Sequence, residues 1–61
     1  MFYKTVLVSK YRRYGLRAGH QSLEEQIKYS YEAQQQYEWT KKYTTIEIYL
    51  QDKLVFKSVI L

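Results

Sequence analysis

From Thr44 to Leu50 the chain alternates strictly: Ile46, Ile48 and Leu50 fall on one side, Thr45, Glu47 and Tyr49 on the other. That is the period of a strand with one buried face. Leu54 to Ile60 reads as its hairpin partner. A three-residue loop of Gln51, Asp52 and Lys53 is expected between them, setting Leu50 opposite Leu54, Ile48 opposite Phe56, and Glu47 opposite Lys57 as a cross-strand ion pair. Near the start, Phe2 to Lys10 combines β-branched, aromatic and polar positions and also reads as a strand. Its two alternating sets, Phe2, Lys4, Val6, Val8 and Tyr3, Thr5, Leu7, Ser9, are both of mixed polarity, which suits apolar contact on both faces.

Between these strands the period changes. Ser22 followed by Glu25 forms a capping box, each side chain placed to satisfy the other's free backbone N–H. From there Leu23, Ile27, Ser30, Ala33, Gln34 and Tyr37 fall on one helical arc flanked by Tyr29 and Tyr31, with Glu24, Glu25, Lys28, Glu32 and Gln35 opposite. Glu24 with Lys28 and Glu38 with Lys42 are spaced as favourable i,i+4 pairs. A helix of about five turns is expected from Ser22 to Lys42. Tyr11 to His20, by contrast, has no period and holds both glycines, Gly15 and Gly19. It reads as a long loop or a short second strand around Tyr14 to Ala18.

The pattern predicts one α+β domain over residues 1–61, with one amphipathic helix packed on a small antiparallel sheet in the order β-(short β or loop)-α-β-β. The expected core is Val6, Val8, Leu23, Ile27, Ala33, Tyr37, Ile46, Ile48, Leu50, Leu54, Phe56 and Ile60. The other sheet face would show Tyr49, Val55 and Val59, joined by Leu7 and Tyr3. That is more apolar than a face meant only for water, and apolar patches of this kind mark interfaces. Self-association or docking of a partner is expected there.

Size sharpens this expectation. A chain of 61 residues buries only about 60% of the surface its unfolded form exposes. Small scaffolds draw stability from disulfides, metals or self-association, and this chain has no Cys and one His. Homo-oligomerisation is therefore expected, and neither a disulfide framework nor a zinc cluster is. The absence of Cys fits a reducing compartment, and the cytoplasm is the expected location. No apolar run is long enough to span a bilayer, and Lys4 and Thr5 interrupt the opening one. With no Pro, eight Tyr, two Phe and one Trp, the composition is that of a folding chain.

The net charge of +4 is local. Residues 1–20 hold Lys4, Lys10, Arg12, Arg13 and Arg17 and no acid, while the remainder nearly balances. The basic, aromatic run Lys10, Tyr11, Arg12, Arg13, Tyr14 and Arg17 carries the main functional signal. Guanidinium groups pair with phosphates and Tyr rings stack on unpaired bases, so nucleic acid would suit it. An acidic protein surface would suit it as well, and so would simple solvation. With its charge confined to one segment, it would neutralise few phosphates and bind them with strong salt dependence.

Catalysis is not expected. His20 is the only imidazole, and no carboxylate lies near it in sequence to orient it as a base; a loop histidine ahead of a helix cap is the plain reading, with phosphate contact or acid–base work the sharper one. The spacings of EF-hand, HExxH and CxxC sites are absent, as is a phosphate-cradling loop, so no metal and no cofactor are expected. Trp39 falls on the polar arc of a regular helix. Either the last turn unwinds to tuck the indole over the sheet, or Trp39 is an exposed anchor for a partner.

The layout from Ser22 to Ile60, a helix, then Tyr43 to Leu50, a charged turn Gln51 to Lys53, then Leu54 to Ser58, resembles that of small phage-encoded early proteins of the host-takeover, antitoxin or inhibitor type. The resemblance implies a protein without chemistry of its own that binds a host enzyme or toxin and blocks it. The partner-binding residues expected on this reading are Lys10, Tyr11, Arg12, Arg13, Tyr14, Arg17, Trp39, Tyr49, Val55 and Val59. A nucleic-acid-binding accessory protein using residues 10–17 is the alternative.

Overall fold

The structure is a computed structural model that describes residues 1–36 and 43–59. Tyr37, Glu38, Trp39, Lys42 and Ile60, singled out above, lie outside the described residues. Strands β1 (Lys4–Val8) and β2 (Arg13–Gly15) precede one helix, α1 (Leu23–Gln36), and strands β3 (Thr45–Leu50) and β4 (Lys53–Val59) follow it. The strands form one sheet in the order β2-β1-β3-β4, antiparallel at every step. The α+β class and the element order are those the pattern predicts. The short second strand is Arg13–Gly15, upstream of the expected Tyr14 to Ala18.

Local chemistry explains the elements. β1 and β3 are rich in β-branched residues, which pack well on a pleated surface. α1 contains no Gly or Pro, and Glu24 and Glu25 sit in its first turn, where negative charge complements the helix dipole. Ser22 caps it, its Oγ accepting from the Glu25 N–H at 3.5 Å. The expected solvent arc is correct, with Glu24, Glu25, Lys28, Glu32 and Gln35 all exposed.

The helix covers one sheet face. Leu7, Tyr43, Ile46 and Ile48 form the buried cluster, and Tyr3, Leu16, Leu23, Ile27, Tyr31 and Phe56 pack against it. The face of β1 is therefore the reverse of the expected one. Thr5 pairs with Ile48 and Leu7 with Ile46, so the Tyr3, Thr5, Leu7 set points to the helix while Val6 and Val8 lie on the uncovered face. Leu7, expected outside, is fully buried. In a strand of mixed polarity a one-residue shift exchanges the faces, and the choice here turns on Thr5, whose polarity the helix satisfies.

It does so through a buried network. Gln26, absent from the expected core, is fully buried with Thr5 and Ser30. Ser30 Oγ donates to the Gln26 carbonyl at 2.6 Å, so the Thr5 hydroxyl donates to Ser30 Oγ, also at 2.6 Å, and accepts from Gln26 Nε2 at 2.6 Å. The other end of the amide accepts from the backbone N–H of His20 at 2.8 Å and from its Nδ1 at 3.0 Å. Backbone partners fix both ends of the amide, since Nε2 also reaches the Ala18 carbonyl at 3.4 Å. The imidazole thus carries its hydrogen on Nδ1. Among the described residues each buried side-chain nitrogen and oxygen has a partner, which is what makes a polar core tolerable.

The β3–β4 hairpin corrects a second expectation. Its loop is two residues, Gln51 and Asp52, with φ of 50° and 66°, the double positive φ of a turn that matches strand twist. Leu50 pairs with Lys53 and Tyr49 with Leu54. A bulge between Ile48 and Tyr49 then leaves Val55 unpaired and restores Ile48 opposite Phe56 and Glu47 opposite Lys57, as the pattern predicts. The two-residue turn places Leu54 opposite Tyr49, away from the helix, and Leu54 is 49% exposed rather than in the core. Leu50 is half-buried.

Candidate partner-binding surface

The β1–β2 connection is a hydrogen-bonded hairpin. Ser9 closes it: its N–H donates to the Arg12 carbonyl at 2.8 Å, and its Oγ accepts from the Arg12 N–H at 3.0 Å. Competition of a serine hydroxyl with the ladder is typical of turns. The tip presents Lys10, Tyr11 and Arg12 to solvent. Tyr11 is 84% exposed, and Lys10 Nζ stands 5.5 Å from the centre of its ring, within reach of a cation–π attraction.

Arg13 leaves this group. Its side chain crosses the uncovered face, donating from one Nη to Glu47 Oε1 at 3.0 Å and to the Tyr49 hydroxyl oxygen at 3.1 Å. Tyr49 in turn donates to the same Glu47 oxygen at 2.7 Å. Glu47 is nearly buried, and the Tyr49 hydrogen bond, with the Arg13 charge and the more distant Lys57, holds its carboxyl below the usual range against the opposing effect of burial. The same partners raise the Arg13 guanidinium above its usual value. The ion pair expected between Glu47 and Lys57 thus closes on Arg13, across β1; Lys57 only faces Glu47.

The remaining expected residues scatter. Tyr14 pairs with Leu7 and so lies on the helix side, its ring 6.3 Å from that of Tyr43. Arg17 lines an open groove of about 650 Å³ with Phe2, Lys4, Leu16 and Gly19. Val55 and Val59 stand on β4, 41% and 63% exposed. The nine described residues among those named form no single cluster: Lys10, Tyr11 and Arg12 are together, Arg13 and Tyr49 are together, and the valines mark the sheet edge.

The second sheet face expected from the pattern is open, but with other members: Leu7 and Tyr3 leave it, and Val6, Val8 and Leu54 join it. Among the described residues no helix covers this face. By register it carries Lys4, Val6, Val8, Arg13, Thr45, Glu47, Tyr49, Leu54, Lys57 and Val59, apolar positions set among three cations and one neutralised acid. The exposed arc of α1 holds Glu24, Glu25 and Glu32 against Lys28. Charge is thus segregated, basic on the open face and tip, acidic on the helix.

His20 is anchored by Gln26 and tilts against Tyr29, ring centres 5.2 Å apart. Among the described residues no group of three His, Asp or Glu is placed to hold a metal ion. No described helix is long and apolar enough to cross a membrane. No protein family's profile matches the chain, and neither a curated protein nor a solved structure is found to be similar to it.

Proposed function

We propose that the chain is a small non-catalytic binding protein that blocks another protein by direct contact, in the manner of phage inhibitors and antitoxins acting in the host cytoplasm. One observation carries the reading: the uncovered sheet face, apolar at Val6, Val8, Leu54 and Val59, runs directly into a cationic tip. An apolar centre with a charged rim is how protein interfaces are built. The Arg13–Glu47–Tyr49 triangle stiffens the middle of the face, so less ordering remains to oppose binding.

The tip alone favours a second reading, since Lys10, Tyr11 and Arg12 would also suit a single-stranded nucleic acid. Protein is the better fit because Arg13 is already committed to Glu47, leaving few cations to neutralise phosphates. The test is capture from host lysate with the full chain, with and without nuclease, beside the variant K10E/R12E. A specific protein that survives nuclease and moderate salt, and that the variant fails to retain, is expected. Material that disappears on nuclease treatment would transfer the function to nucleic acid.

A further inference from the structure

The two edges of the sheet are unequal. β2 closes one side with three residues, whereas β4 runs for seven along the other. An edge strand turns alternate N–H and C=O groups outward, and proteins commonly guard long edges because any extended chain can pair with them. Among the described residues nothing pairs with the outer side of β4. Leu54, Val55 and Val59 are exposed along it.

Charge decides what would pair there. β4 contains Lys53 and Lys57 and no acid. Lys57 faces Glu47, which is bonded to Arg13 and Tyr49, and among the described residues its ammonium group makes no ion pair. Two β4 strands joined about a two-fold axis would gather four lysines, in chains that each carry +4. An incoming strand with carboxylates among its apolar residues would instead neutralise them, and its main chain would complete the open ladder. That is the strand-addition mode of recognition, with backbone bonds supplying affinity and alternate side chains supplying choice.

We propose that β4 is the docking edge for an extended, acidic-apolar segment of another protein, which adds to the sheet as a fifth strand. This rests on the reading of the chain as a protein-binding module and names how it binds. The uncovered face beside β4 would receive the side chains of the added strand at Leu54, Lys57 and Val59.

The test uses the isotope-labelled full chain and three synthetic peptides long enough to span β4: alternating Val and Glu, alternating Val and Lys, and the Glu peptide N-methylated at every second residue. The Val/Glu peptide is expected to shift alternate β4 amides and slow their hydrogen exchange. The Lys peptide should bind about tenfold more weakly or worse, the N-methylated one should not bind, and Lys57→Gln, on the face that receives the carboxylates, should weaken the Glu peptide. Shifts confined to Tyr11 and Arg12, equal binding of the N-methylated peptide, or β4 amides already protected in a self-dimer would each overturn the proposal. Those failures leave a nuclease-resistant captured partner standing, whereas a peptide seated on β4 with no such partner would support the edge and remove the blocking role.

Discussion

Gln26 Nε2 and Thr5 Oγ1 lie 2.6 Å apart, both fully buried, and join the helix to the central strand β1. Among the described residues the buried apolar cluster has four members, Leu7, Tyr43, Ile46 and Ile48. In so small a core the polar contact decides which face of β1 turns inward, because Thr5 is acceptable there only while Gln26 and Ser30 engage it.

Gln26→Met keeps the volume and removes these bonds. It leaves the His20 N–H without its acceptor and should cost about 1–3 kcal/mol. A urea titration followed by circular dichroism reads this. Combined with Thr5→Val, which removes the stranded hydroxyl, the loss should be less than additive.

The pH dependence of stability is expected to pass through Glu47. Its folded carboxyl titrates below its ordinary value of 4.5, so the ionised form is the one folding favours. That contribution is complete above the unfolded value and declines as pH falls through the lowered folded value. Thermal melts from neutral pH into the acid range should show the decline in the native chain, and Glu47→Gln should flatten that part of the curve.

Gly19 has a steric role. A Cβ there would stand 2.8 Å from the Tyr3 carbonyl oxygen and 3.2 Å from Phe2 Cβ, close to the hydrogen bond from the Tyr3 N–H to the His20 carbonyl. Gly19→Ala should destabilise by about 1–3 kcal/mol, lowering the melting temperature by about 4–8 °C for each kcal/mol. Gly15→Ala is the control: its Cβ meets only the flexible Lys4 chain at 3.3 Å and should be far milder.

At the β3–β4 turn, Asp52 holds a φ of 66°, in a region that costs an ordinary side chain about 1–2 kcal/mol and Gly nothing comparable. Asp52→Gly is expected to be neutral or stabilising. Asp52→Val, β-branched and unable to bond its own backbone, should destabilise, as a melt of each variant would show.

Much of the fold was legible because it rests on strong periodicity: β3 alternates without exception, and the solvent arc of α1 is correct at each described position. What misled were residues whose burial depends on a partner far away in sequence. Thr5 and Gln26 are polar, and each is acceptable inside only because of the other, 21 positions away. Val6 and Val8 look more like core than Thr5 does, and local pattern carries no trace of the contact that outweighs them. The binding surface was legible in part. The exposure of Lys10, Tyr11 and Arg12 follows from their composition, but Arg13 is drawn off by Glu47 and Tyr49, 34 and 36 residues on, and Tyr14 falls on the opposite face through the parity of its strand.

The unpaired Val55 acts on the hairpin as a compensating insertion acts on a reading frame. The two-residue turn shifts the phase of β4 by one position, and the bulge shifts it back before Phe56 reaches Ile48. The number of residues between Tyr49 and Phe56, rather than their identity, therefore sets the phase that keeps Phe56 on the core and Lys57 opposite Glu47. The turn and the bulge cancel, so the end of the arm and the framework behind it keep separate phases.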